Sequence, residues 1–189
     1  MSTATRQVHY TYAEYVSLEE ESSTRHEFLD GEIYAMAGGT PDHAALAGAV
    51  IGLLRVGAPP GCRVFTSDLR IRIAATGLST YPDAAVVCGR TTRAADDGLA
   101  VVNPVLLVEV TSPSTEDYDR GEKLRHYQHL PSLREVLVVS HREPRVTLVL
   151  RQDESWASHD FRRGESFRVA SLGTNVAVDE IYREGLEDR

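Results

Sequence analysis

The sequence predicts an α/β (α+β) fold: a mixed β-sheet flanked by helices, with additional peripheral strands. Three observations predict it. The run Val105-Leu106-Leu107-Val108-Glu109-Val110 is almost wholly apolar, as suits a central strand covered on both faces. Thr40-Pro41 supplies an N-cap and a first-turn proline ahead of a stretch with Leu46, Val50, Leu53 and Leu54 on one stripe. The elements then run helices, several strands, a helix and more strands, which describes layers around one sheet.

Taken in order, a first helix starts near Thr11, where Tyr12, Tyr15 and Val16 recur at helical spacing. Ser22 to Phe28 reads as a second helical stretch leading into an Asp30-Gly31 turn. A strand follows from Glu32 to Ala37, and Gly38-Gly39 ends it. The helix from Asp42 to about Val56 is otherwise mostly Ala and Gly, which allows close packing. Strands are expected at Arg63–Ile73, Tyr81–Cys88 and Val105–Val110. Asp119-Arg120-Gly121-Glu122 has capping-box spacing and opens a helix to about His129, ended by Pro131. Strands Glu135–Ser140 and Arg145–Leu150 flank a Glu143-Pro144 turn. Peripheral strands through Trp156 and Phe167 and a short helix near Val178–Arg183 complete the chain.

No repeat, linker or low-complexity tract divides the 189 residues, so residues 1–189 are expected to form one domain. With 42% hydrophobic and 25% charged residues, the composition excludes a disordered chain. Cys62 and Cys88 match no metal-ligand spacing and read as buried free thiols. The segment Met1–Val16 lacks the apolar core of a secretory signal, and the longest apolar run, Ala44–Leu54, is too short to span a bilayer. A cytoplasmic location without membrane attachment is expected.

The net charge of −8 counts against a nucleic-acid ligand, but its distribution is uneven. Residues 1–32 carry a balance of −5, whereas residues 61–93 carry +3, from Arg63, Arg70, Arg72, Arg90 and Arg93 against Asp68 and Asp83. Residues 119–145 carry +2. The middle of the chain is locally basic and permits a phosphate-rich substrate.

That middle also holds the charges a structural sheet would avoid. Asp83 follows Tyr81-Pro82 and precedes Ala84-Ala85-Val86-Val87, and Glu109 is embedded in the apolar run. A lone buried carboxylate costs several kcal/mol unless a cation or strong donors compensate it. A divalent metal is one remedy for two such carboxylates on neighbouring strands, and their oxygens suit Mg²⁺ or Mn²⁺. A structural ion pair of Glu109 with Arg70 or Arg72 is the alternative. Lys123 shares a helix face with Tyr127 at i+4, beside Leu124, at the edge of a buried stripe. Its ammonium is placed to orient water or to neutralise charge on a phosphate.

Pro82-Asp83 and Glu109-Val110-Thr111 resemble the Pro-Asp…(Asp/Glu)-x-Lys signature of the PD-(D/E)XK nuclease superfamily, with Thr111 standing where the lysine belongs. The wider pattern resembles the Uma-two restriction endonuclease family of that superfamily, in which the lysine has moved to the following helix. The matching segments are residues 26–39 with His43, then Tyr81-Pro82-Asp83, residues 108–115, Tyr118–Lys123 with Tyr127, and Arg134-Glu135. Together they place the resemblance over about residues 8 to 183.

The resemblance implies a restriction endonuclease-like fold and hydrolysis of DNA phosphodiester bonds with Mg²⁺, Mn²⁺ being possible. It implies Asp83 and Glu109 as catalytic metal ligands, Lys123 as the displaced lysine, and supporting roles for Glu27, on the early helix, and for His43. His43 and Asp68 match frequent family positions; for His43, a hydrogen bond to a nearby carboxylate is an equal alternative. Tyr127 is expected to pack, and Asp119 to cap its helix. The alternatives in function are a catalytically silent binding or regulatory module and a hydrolase of a smaller phosphate ester. A homodimer is expected because symmetric pairing is the commonest assembly.

Overall fold

The computed structural model describes residues 9–36, 38–184 and 186. The expected start of the chain up to Val8, and the expected strand end at Ala37, lie outside them. A six-stranded sheet forms the centre, in the order β10-β9-β8-β7-β6-β3. Its strands are β3 (Cys62–Thr66), β6 (Ala84–Cys88), β7 (Leu106–Val110), β8 (Glu135–Val139), β9 (Arg145–Gln152) and β10 (Ser155–Arg162). β7 and β8 run parallel, joined by the helical segments α3 (Glu116–Arg120) and α4 (Glu122–Tyr127); every other neighbouring pair is antiparallel. The sheet is therefore mixed, as expected.

Side-chain alternation splits the core in two. Ala84, Val86, Leu106, Val108 and Val110 face α2 (Pro41–Gly57), whose Leu46, Val50 and Leu54 repeat every four residues. α2 begins as its sequence dictates: the Thr40 hydroxyl accepts from the His43 N–H, and Pro41 sits in the first turn. The same layer takes in the hairpin β11 (Ser166–Val169) and β12 (Thr174–Ala177), and the short α5 (Val178–Ile181). Ala85, Val87, Leu107, Val136 and Val138 point the other way, against Tyr127, Leu130 and a second sheet. Each fully buried aliphatic side chain contributes roughly 1.5–3 kcal/mol, so both faces of the central strands are strongly held.

The second sheet departs from the single sheet expected. Its order is β2-β1-β5-β4, from β1 (His26–Leu29), β2 (Glu32–Ala35), β4 (Ile71–Ile73) and β5 (Leu78–Thr80). The expected strand Arg63–Ile73 is two strands in two sheets. A turn after Thr66, closed by the Leu69 N–H bond to the Thr66 carbonyl, carries the chain from one sheet to the other. The expected helix Ser22–Phe28 is also corrected: His26–Leu29 is strand β1. Asp30 and Gly31 both have positive φ, the geometry of a tight hairpin, and pair Leu29 with Glu32. Once that turn forms, the preceding residues extend. α1 (Tyr12–Glu21) starts at Thr11 as expected, with a full capping box to Glu14.

The cysteines are corrected too. Cys62 and Cys88 are directly opposite in the β3–β6 ladder, half-buried, and joined as a disulfide with a Cα–Cα distance of 3.9 Å. Among the described residues no helix is long and apolar enough to cross a membrane.

Candidate active site

Glu109 is fixed by strand register. It shares the face of Leu107, turned toward Tyr127 rather than α2, and is buried at 4% exposure. The β6–β7 ladder pairs Ala84 with Val108, so one further step sets Asp83 opposite Glu109. Asp83 lies just before β6, where its Oδ2 accepts from the Val110 N–H at 2.7 Å. His43, in the first turn of α2, approaches the same oxygen through Nε2 at 3.4 Å. The Asp83 hydrogen bond raises the His43 pKa against the opposing effect of burial.

Lys123 projects from α4 into this locus. Its Nζ lies 3.1 Å from Glu109 Oε1, 3.1 Å from Glu27 Oε1 and 3.7 Å from Asp119 Oδ1. The Tyr127 hydroxyl donates to Glu109 Oε1, and the Thr80 hydroxyl donates to Glu27 Oε1. Burial pushes Glu109 well above the usual carboxylate range; Lys123 offsets part of this, while Asp119 and Asp83 add to it. Burial and the neighbouring carboxylates also raise Asp119. Burial works to lower the Lys123 pKa, but Glu109, Tyr127, Glu27 and Asp119 outweigh it and keep the ammonium charged. The two upward shifts are compatible, because one ammonium is shared among three carboxylates. Negative charge remains in surplus.

The structure thus brings Asp83, Glu109, Lys123, Glu27 and His43 to one locus. Several sequence expectations change there. Glu27 stands on strand β1 rather than on a helix. Asp119 is not a cap: it lies inside α3, buried, with its carboxylate toward Lys123. Gly121 separates α3 from α4, and a Cβ there would meet the Asp117 carbonyl at 2.8 Å, so the bend requires glycine. Tyr127 does more than pack, since it binds the Glu109 carboxylate. Asp119, Lys123 and Tyr127 recur at i, i+4 and i+8, a polar stripe legible in the sequence as one helical face. The proposed pairing of Glu109 with Arg70 or Arg72 does not occur: Arg70 pairs with Asp97 at 2.8 Å and Arg72 with Asp96 at 3.5 Å. Asp68 is engaged by Arg25 and Thr66 at the exposed surface. Thr111, fully buried, bonds His141 Nδ1 at 2.8 Å, so a structural hydroxyl occupies the position of the signature lysine.

Among the described residues no three Asp, Glu, His or Cys side chains form a ready-made metal cage. Mg²⁺ does not need one, since it is commonly held by one or two carboxylates and retained waters. Asp83 and Glu109, two oxygen donors on adjacent strands in a locus with excess negative charge, fit such an ion in donor chemistry.

A family model described as "Uma2: Putative restriction endonuclease" matches residues 12–179. The chain is 37% identical over 172 residues to "Uncharacterized protein slr1290" of Synechocystis sp. (strain ATCC 27184 / PCC 6803 / Kazusa), covering 90% of each. It is 34% identical over 132 residues to "Uncharacterized protein sll1609" of the same organism, covering 68% of this chain and 73% of that one. A crystal structure of "a putative nuclease belonging to DUF820 from Anabaena variabilis ATCC 29413" superposes with a TM-score of 0.76. The superposition covers 92% of this chain and 98% of that one at 17% identity, a likeness of fold. With the family resemblance read from the sequence thereby met, this chain belongs to the Uma2 family of restriction endonuclease-like proteins.

Proposed function

We propose that this protein is a metal-dependent endonuclease that hydrolyses phosphodiester bonds in DNA. The observation that carries the reading is the buried cluster around Lys123, where Glu109 is held at 3.1 Å with Glu27 and Asp119 close by. Asp83 stands on the adjoining strand end. Buried carboxylates in excess of their cations are costly, and a site built that way has a cationic ligand to receive. Asp83 and Glu109 would hold Mg²⁺, or Mn²⁺, whose chemistry is to polarise the phosphate and supply an activated water.

The chain's own residues do the rest. The Val110 N–H and His43 fix the Asp83 carboxylate, and Tyr127 fixes that of Glu109, so both present a set orientation. Lys123, kept protonated by its neighbours, supplies positive charge where a phosphate gains negative charge in the transition state. Glu27 holds the lysine from the side of the second sheet, itself steadied by Thr80. Plasmid DNA incubated with the protein and Mg²⁺ or Mn²⁺ tests the proposal. Cleavage that stops on chelation and in Asp83→Asn is expected, and metal-independent cleavage or none opposes it.

A further inference from the structure

The arginines of residues 61–93 fall into two groups once the chain is folded. Arg70 and Arg72 are buried and ion-paired with Asp97 and Asp96, so their charge is neutralised internally. Arg63, Arg90 and Arg93 are exposed, and among the described residues none of them forms an ion pair. These three converge on one hollow of about 400 Å³ between β3 and the loop after β6. Its apolar floor and wall include Phe65, Leu69 and Leu99, and no acidic side chain lines it. Leu99 is 61% exposed, a large apolar side chain left uncovered beside three cations. The Arg63 guanidinium lies over the Phe65 ring at 5.2 Å and donates to the Thr91 hydroxyl, which fixes its plane.

In a chain of net charge −8, an unneutralised trio of arginines around an apolar hollow selects an anion that carries a flat apolar group. The volume falls within the range of ligand pockets, roughly 300–1,000 Å³. A phosphate bonded by arginines together with a base stacked on an aromatic or guanidinium plane is how unpaired nucleotides are held. A paired duplex presents its bases inside the stack and cannot fill such a hollow. Position agrees. Phe65 packs on the sheet face that carries Leu107 and Glu109, and Arg63 has the same strand parity. Arg63 pairs with Val87, four residues along β6 from Asp83, a span of about 13 Å at ~3.3 Å per residue.

We infer that this hollow is a second nucleic-acid subsite that seats an unpaired nucleotide of the substrate strand, with Arg63, Arg90 and Arg93 on its phosphate and Phe65 and Leu99 against its base. The inference rests on the nuclease reading for its choice of ligand, and its test is separable from that reading. Binding of a fluorescent single-stranded oligonucleotide and of the matching blunt duplex is measured by anisotropy on the full chain in EDTA, where no metal-dependent cleavage occurs. The wild type binds the single strand more tightly than the duplex. The variant R63A/R90A/R93A loses about tenfold or more in affinity, and its log–log salt slope falls by about 0.7, as the loss of one neutralised phosphate on a single strand requires. A charge-matched control, R134A/R163A/R168A, removes three exposed arginines elsewhere and keeps wild-type binding. No single-strand binding by the wild type, equal binding by the hollow variant, equal loss in the control, or no preference for the single strand overturns the inference. Absence of cleavage when Mg²⁺ or Mn²⁺ is added overturns the nuclease reading and leaves the binding result to stand by itself.

Discussion

Replacing Lys123 with methionine keeps much of the side chain's volume and removes the ammonium that faces Glu27, Glu109 and Asp119. Lys123 is 5% exposed and Glu109 4%, so solvent screens neither charge. Removing one partner from a buried pair costs about 3–5 kcal/mol, because the other charge is left uncompensated. For a domain of this size each kcal/mol lowers Tm by about 2–4 °C, so Lys123→Met should melt roughly 6–20 °C below wild type at pH 8 without metal. The deficit has a definite pH dependence. Burial raises the Glu109 pKa in the fold, and losing Lys123 raises it further. A carboxyl with a raised folded pKa binds more protons folded than unfolded, so stability falls as pH rises above the unfolded value of about 4.3 and through the folded one. The variant's deficit is therefore smallest in acid and grows toward neutrality. Adding Glu109→Gln, which keeps an acceptor for Tyr127, should return most of the lost Tm. Calorimetry or circular-dichroism melts of the single and double variants at pH 5 and pH 8 decide the matter. A Lys123→Met protein as stable as wild type, or a deficit unchanged by acid and by Glu109→Gln, would refute the account of Lys123 as the compensating charge.

Other outcomes follow from the same contacts. Asp83→Asn should abolish metal-dependent cleavage yet cost only about 1 kcal/mol in metal-free melts, since the amide oxygen still accepts from Val110 and the charge surplus shrinks. Tyr127→Phe should cost roughly 1–3 kcal/mol in denaturant melts by leaving a buried Glu109 oxygen without its donor. His43 has a raised folded pKa, so its pair with Asp83 contributes stability that is complete below about pH 6.5 and lost as pH rises through the folded value. NMR titration of metal-free protein should find the His43 pKa lower in Asp83→Asn than in wild type. Reducing Cys62–Cys88, separated by 26 residues, should lower stability by about 3.5 kcal/mol in the chain-entropy treatment, measurable as a Tm drop with reductant.

What the sequence made legible were features whose signal is local. The apolar run at β7, the Thr40-Pro41 start of α2 and the Thr11 start of α1 each carry their own chemistry, and the structure keeps them. Asp83, Glu109 and Lys123 were conspicuous as charges in the wrong surroundings, which is why they could be grouped before any fold was known. What failed depended on partners distant in the chain. His26–Leu29 has no strong strand pattern of its own and extends because Asp30-Gly31 turns it onto β2 and because β5 pairs on its other side. Cys62 meets Cys88 only through the β3–β6 register, which no spacing rule encodes. Asp119 had the spacing of a cap, but Gly121 breaks the helix two residues later and turns that carboxylate inward to Lys123. The local basicity of residues 61–93 was visible, yet only the fold separates arginines that brace Asp96 and Asp97 from those that ring an open hollow.

The proposed metal-supported phosphodiester hydrolysis depends on Asp83, Glu109 and the ammonium of Lys123. The most direct measurement is a cleavage time course on plasmid DNA, single-stranded DNA and RNA, with Mg²⁺, Mn²⁺ or EDTA, for wild type, Asp83→Asn and Lys123→Met. The melts define a temperature at which all three proteins are folded. The account predicts DNA cleavage by wild type only with a divalent ion, none by Asp83→Asn, and a rate lowered by about two orders of magnitude or more in Lys123→Met. Cleavage by Lys123→Met at the wild-type rate, or by wild type in EDTA, would contradict it.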